Sequence, residues 1–148
     1  MRRLIVALAA ATLASAAIAG DMATPDEAKA MSQKAQSAVN TMGAEKAYAA
    51  FADPAGGFQD KDLYVFCVDM DGVVTSHAKK PALVGKNLLE FNKYGDFLFK
   101  DMVAVAKDKG EGWVDYNWPY PGTEEIKPKT SYIMTNSAGV FCGVGAYK

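Results

Sequence analysis

The densest chemistry in this chain lies between Gly110 and Met134, in the stretch GEGWVDYNWPYPGTEEIKPKTSYIM. It holds Trp113, Tyr116, Trp118, Tyr120 and Tyr132, with Lys127 and Lys129 among them. Tyrosine and tryptophan offer apolar walls with a hydrogen-bonding tip, which suits a small-molecule pocket. A lysine among such rings could meet an anion. The first half alternates: Trp113, Asp115 and Asn117 point one way, and Val114, Tyr116 and Trp118 the other. Pro119, Pro121 and Gly122 stop the strand and force a turn. Lys129, Ser131 and Ile133 begin the return strand, with Thr130, Tyr132 and Met134 on its other face. The same hairpin would also serve as an aromatic core with a sheet-edge turn, and the pattern alone leaves both readings open.

His77 is the only histidine and follows a β-prone segment. It could donate to an anionic ligand or titrate near neutrality, or be a surface residue at a strand end. Asp69-Met70-Asp71-Gly72 resembles the start of a calcium loop but lacks the later ligands, so it reads as a hairpin turn.

Several classes of chemistry lack their residues. No Gly-x-Ser-x-Gly elbow, phosphate-binding glycine loop or dinucleotide fingerprint occurs. Two cysteines and one histidine are too few for a structural zinc site. The reading therefore names no catalytic residue, cofactor or metal. The 16 basic and 17 acidic residues leave no footprint for nucleic acid or an anionic membrane surface.

Met1-Arg2-Arg3, the apolar run from Leu4 and the small residues up to Ala19 predict a secretory signal peptide over residues 1–19. Its apolar run is too short to span a bilayer, so the expected product is exported, periplasmic or secreted. Arg2 and Arg3 are the only arginines, so the exported chain carries 14 lysines against 17 acids. Any anion site must then use lysine, His77, tyrosine or backbone N–H groups rather than a guanidinium fork. In an oxidising compartment Cys67 and Cys142 can pair, or remain two buried thiols. A bridge would close about 75 residues and stabilise by roughly 4 kcal/mol.

The elements that must position these groups follow in order. Thr24-Pro25-Asp26-Glu27 carries the signature of a capping box, and apolar spacing predicts helix over 25–52, continuous or broken at Gly43. That face could pack within the chain or pair two copies. Leu63–Met70 and Val73–His77 read as a strand pair, and Asp96 as the cap of a helix to about Lys107. Val140–Tyr147 is the closing strand, where Gly143 and Gly145 permit close approach. The sum is an α+β chain: residues 20–55 an N-terminal helical segment, 56–148 a five-stranded antiparallel sheet, together one structural unit with helices on one face.

Five pieces in this order resemble the single Cache family of extracellular sensor domains. They are the long N-terminal helix; Asp69-Met70-Asp71-Gly72-Val73; His77 with Pro81 and Leu83-Val84-Gly85-Lys86; Ala106-Lys107 followed by Gly110-x-Gly112-Trp113-Val114-x-Tyr116-x-Trp118; and Pro128-Lys129-x-x-Tyr132 with Gly143-Val144-Gly145-x-Tyr147. The resemblance covers roughly residues 25–148. It implies a PAS-like fold with the long N-terminal helix packed on one face of the sheet, and a ligand pocket on the sheet. It also implies small organic acids or similar metabolites as ligands, and a role as the input module of chemoreceptors and kinases. Carried over by position, the pocket would draw on His77, Trp113, Tyr116, Trp118, Lys129 and Tyr132. A free-standing exported member, serving a membrane sensor or transporter partner, is the expectation. The competing one is an interaction protein without ligand that dimerises or docks through its N-terminal helix.

Overall fold

The computed structural model describes residues 22–148. The expected leader, residues 1–19, lies outside them. Helix α1, Pro25–Met42, starts as the sequence prescribes: Thr24 Oγ1 accepts from the Glu27 amide, and the Glu27 carboxylate accepts from the Thr24 amide. Gly43, at φ +83°, breaks the helical path, and α2, Ala44–Ala52, resumes it until Asp53. The expected helix is therefore two helices.

Five strands follow: β1 Val65–Asp69, β2 Val74–His77, β3 Glu111–Pro119, β4 Ile126–Thr135 and β5 Val140–Tyr147. All pair antiparallel in the order β2-β1-β5-β4-β3. The β1–β2 turn is held by Asp69 Oδ1, which accepts from the amides of Asp71 and Val73. Cys67 lies directly opposite Cys142 across β1 and β5, and the two form a disulfide.

Period-two alternation splits the sheet into two cores. On one face, Ala28, Ala35, Ala38 and Val39 of α1 pack with Val65, Cys67, Cys142, Val144 and Ala146. Small residues bring α1 close enough for Ser32 Oγ to donate to the Tyr132 carbonyl at 2.7 Å. The apolar face of α1 is thus used inside the chain. On the other face, Phe66, Val68, Ile133 and Phe141 pack with α3, Leu98–Lys109. The sequence expectation of helices on one face holds for α1 and α2; α3 covers the opposite one. Both inner surfaces of β1 and β5 are apolar, so each needs its own cover.

Asp96 does not cap α3. The N-cap is Phe97, and Asp96 Oδ2 instead accepts from the Asn117 amide of β3 at 3.2 Å. The carboxylate ties the helix start to the sheet edge rather than closing the helix's first turn. Between β2 and α3 the chain runs over the α3 face. Phe91 and Tyr94 from this segment stack edge-on or tilted against Trp118 at 6.1 and 5.7 Å.

Candidate functional site

Alternation puts Val114, Tyr116 and Trp118 of β3 on the α3 face, beside Lys129 and Ser131 of β4. Tyr64 and Phe66 arrive from the start of β1, and His77 from the end of β2. Leu98, Phe99 and Met102 of α3 close a cavity lined on the sheet side by Tyr64, Phe66, His77, Tyr116 and Trp118. The volume open to the centre of a water molecule is about 10 Å³, room for one water. Any larger guest must displace a flexible side chain such as Met102 or lift the Phe91–Tyr94 segment.

Lys129 sits at the polar end of this cluster, 1% exposed. Its Nζ donates to Tyr64 Oη at 3.0 Å and lies 4.2 Å from the Tyr64 ring centre and 4.9 Å from that of Tyr147. Aromatic faces attract a cation, but they do not neutralise it. No ion pair among the described residues includes Lys129. Burial pushes its pKa down from 10.5 to about 7, against the opposing charge of Asp62. Desolvation pushes the Tyr64 and Tyr116 phenols up, so both remain hydrogen-bond donors. The Tyr116 hydroxyl is 2.7 Å from Ser131 Oγ.

The lysine reaches this position because Gly145 has no side chain. A Cβ there would stand 2.4 Å from Lys129 Cε and 2.2 Å from Ser131 Oγ. Gly145→Ala should therefore displace the lysine stem and lower stability by roughly 1–3 kcal/mol, the usual cost of overpacking. Thermal unfolding and the Lys129 side-chain NMR resonance would both register it. An unchanged melt would mean that β5 can retreat from β4 at no cost.

His77 is defined by its own turn. Nδ1 accepts from the amides of Lys79 and Lys80, at 3.3 and 2.9 Å. The neutral tautomer must then carry its proton on Nε2, which is the donor the ring can offer to the cavity it lines. Burial, with the charges of Lys129 and Lys80, lowers its pKa to about 3. The histidine is a neutral donor across the physiological range and does not titrate near neutrality.

Of the six residues expected in the pocket, His77, Tyr116 and Trp118 line this cavity, and Lys129 meets it through the Tyr64 hydroxyl. Trp113 and Tyr132 do not join them. Both point to the α1 face, where their rings meet edge to face at 5.0 Å. Trp113 is 40% exposed, and the Tyr132 hydroxyl donates to the Glu111 carboxylate, which raises its pKa to about 12. Residues not anticipated for the pocket are Tyr64, Phe66, Leu98, Phe99 and Met102. Alternation in Leu63–Met70 already put Tyr64 and Phe66 on one side; the missing information was which strand lay beside them.

Comparison with known proteins meets this geometry. Over 90 residues the chain is 34% identical to the methyl-accepting chemotaxis protein McpP of Pseudomonas putida, an alignment covering 60% of this chain and 16% of that protein. The chain thus spans a small part of the length of this curated relative. A methyl-accepting chemotaxis protein from Vibrio parahaemolyticus superposes with a TM-score of 0.69 at 26% identity, over 82% of this chain and 86% of that one. A Cache chemosensory domain solved for the structural basis of carboxylic acid recognition superposes with a TM-score of 0.63 at 27% identity, with the same two shares. A model described as Cache domain matches residues 23–147, and the chain, with its β2-β1-β5-β4-β3 sheet between α1 and α3, belongs to the Cache domain family.

Proposed function

We propose that this domain binds a small monocarboxylate in the cavity under α3 and serves as the exported sensing module for a membrane receptor, kinase or transporter. The observation that carries the reading is Lys129, a buried ammonium outside every ion pair among the described residues, walled by rings. Burying a charge without a partner is costly. A carboxylate at Nζ would supply the missing charge and occupy the donors that Tyr64 leaves free. His77 Nε2–H and the Tyr116 hydroxyl are the neutral donors in reach of the same space, and Phe66, Phe99, Met102 and Trp118 would hold a short alkyl group. The tight cavity favours acids of few carbon atoms. The similar domain solved for carboxylic acid recognition is consistent with that class.

Calorimetry of the purified protein with acetate, propionate, pyruvate and butyrate, each beside its neutral amide, tests the reading. The acids should bind and the amides should not, because only the acids offer a charge. At 100 times the dissociation constant a ligand adds about 2.7 kcal/mol, so thermal unfolding would follow in parallel. Equal binding of propionamide and propionate would overturn the role given to Lys129.

A further inference from the structure

Every residue that lines the cavity under α3 is buried, so a ligand enters only where a wall opens. Beside Trp118 lies a second pocket, rimmed by the exposed Lys93 and Glu124, with about 380 Å³ free to the centre of a water molecule. Tyr94 and Pro119 form its apolar side, Lys80 and Lys93 are its basic groups, and Glu124 is its one acid. Tyr94 lines this pocket and packs edge-on against Trp118, a wall of the cavity, at 5.7 Å. One ring therefore links the two spaces. Lys80 is tied to the cavity as well, since its amide donates to His77 Nδ1 at 2.9 Å. The Tyr94 segment is also the wall held least. From Asn92 to Gly95 the one hydrogen bond among the described residues is the turn's own, from the Gly95 amide to the Asn92 carbonyl at 3.1 Å. Ring contacts do the rest: Tyr94 and Phe91 with Trp118, and Phe91 with Phe99. A segment with few fastened backbone groups opens at low cost.

We propose that the pocket carrying Lys80 and Lys93 is an outer binding site for the carboxylate, and that Tyr94 is the ring the ligand displaces to reach the cavity. The proposal rests on the carboxylate reading of the cavity. A second groove touches the site directly, through Tyr116 and Lys129, but it suits an anion less. Asp96 and Asp115 line it beside Lys148, and Asp96 Oδ2 straps it by accepting from the Asn117 amide. Its carboxylates repel the charge that Lys80 and Lys93 attract. At a solvated surface that attraction is weak and screened by salt. It therefore raises the rate of arrival more than the strength of the final complex. The ligand passes inward as Phe91–Gly95 lifts, and the segment closes when Tyr94 returns to Trp118.

Labelling of a thiol placed inside the cavity tests the route without any choice of ligand. Both native cysteines are held in the disulfide, so Met102→Cys supplies the one thiol. Two methanethiosulfonate reagents report on it, one carrying a sulfonate and one an uncharged methyl group. Lys80→Gln with Lys93→Gln should slow the anionic reagent about threefold and leave the neutral one unchanged, the effect of two screened surface charges. Asp115→Asn, in the other groove, should alter neither rate. Tyr94→Ala should speed both reagents severalfold. An unchanged anionic rate in the lysine pair, or a rise of that rate in Asp115→Asn, would overturn the outer site. Unchanged rates in Tyr94→Ala would overturn the ring as the way in. Stopped-flow mixing of propionate with protein that keeps Met102 adds a second reading: the lysine pair should lower its association rate by the same factor, and an equal rate would count against the outer site. Failure of propionate to bind at all would speak against the ligand assigned to the cavity, and the labelling rates would still decide the route.

Discussion

Propionate affinity should be level from the pH at which its own carboxyl is fully ionised up to about pH 7, and fall above it by about tenfold per unit, because the ammonium of Lys129 has a pKa of about 7 in the empty domain. The ligand needs the protonated lysine. Below that pKa the proton is already present, and above it the proton must be taken up on binding. The fall should end near the higher pKa the lysine gains beside a carboxylate. His77, with its pKa at about 3, stays neutral throughout and adds no inflection. Lys129→Met should lose roughly 2–5 kcal/mol of binding, the usual cost of removing one partner of a buried charge pair. Stability of the empty domain should run the other way. The folded lysine has its pKa depressed from 10.5 to about 7, so its cost to folding is fully present below about pH 7 and is relieved as pH rises toward 10.5. Calorimetry across this range, with unfolding melts of the empty protein, reads both. An affinity that stays level through pH 9 would mean that neutral donors hold the ligand and the ammonium is not its partner.

Why Trp113 and Tyr132 stand apart from Tyr116, Trp118 and Lys129 is a matter of strand parity. Trp113 lies an odd number of residues from Tyr116 and Trp118, and Tyr132 an odd number from Lys129. Period two separates each pair onto opposite faces, and the structure places them so. Ring density along the hairpin carried no information about faces; alternation did. The capping box at Thr24 and the turn at Asp69 were legible because their signals are local and complete within a few residues. Asp96 carried the same kind of local signal, yet its carboxylate went to the Asn117 amide, a partner 21 residues away. Non-local pairing is also what hid the rest of the site. Tyr64 meets Lys129 across 65 residues, and Gly145 opens the space for the lysine only because β5 lies beside β4. Glycine at 143 and 145 signalled a close approach in the last strand, but the approaching groups, Phe66 and Ile133 at one and Ser131 and Lys129 at the other, followed from the sheet order.

Replacing both Cys67 and Cys142 by alanine should lower the stability of the domain by about 4 kcal/mol, through the 75-residue separation that the bridge closes. At a few degrees per kcal/mol for a chain of this size, the melting temperature should fall by roughly 10–20 °C. The effect acts mainly on the unfolded chain. β1 and β5 are already paired along five residues from Val65–Val144 to Asp69–Val140, so the native sheet keeps its order without the sulfur atoms. Both cysteines are fully buried on the α1 face, whereas Phe66 of β1 and Tyr64 just before it turn to the cavity. The variant should therefore bind propionate with nearly native affinity well below its melting temperature, and circular dichroism should show an unaltered fold. Reduction of the native protein should reproduce the shift once unfolding exposes the bridge. A fall of only a few degrees would mean that the unfolded chain already holds these two segments together. A loss of affinity equal to the loss of stability would mean that the bridge positions Tyr64 for Lys129, which would make the disulfide part of the site rather than of the frame that carries it.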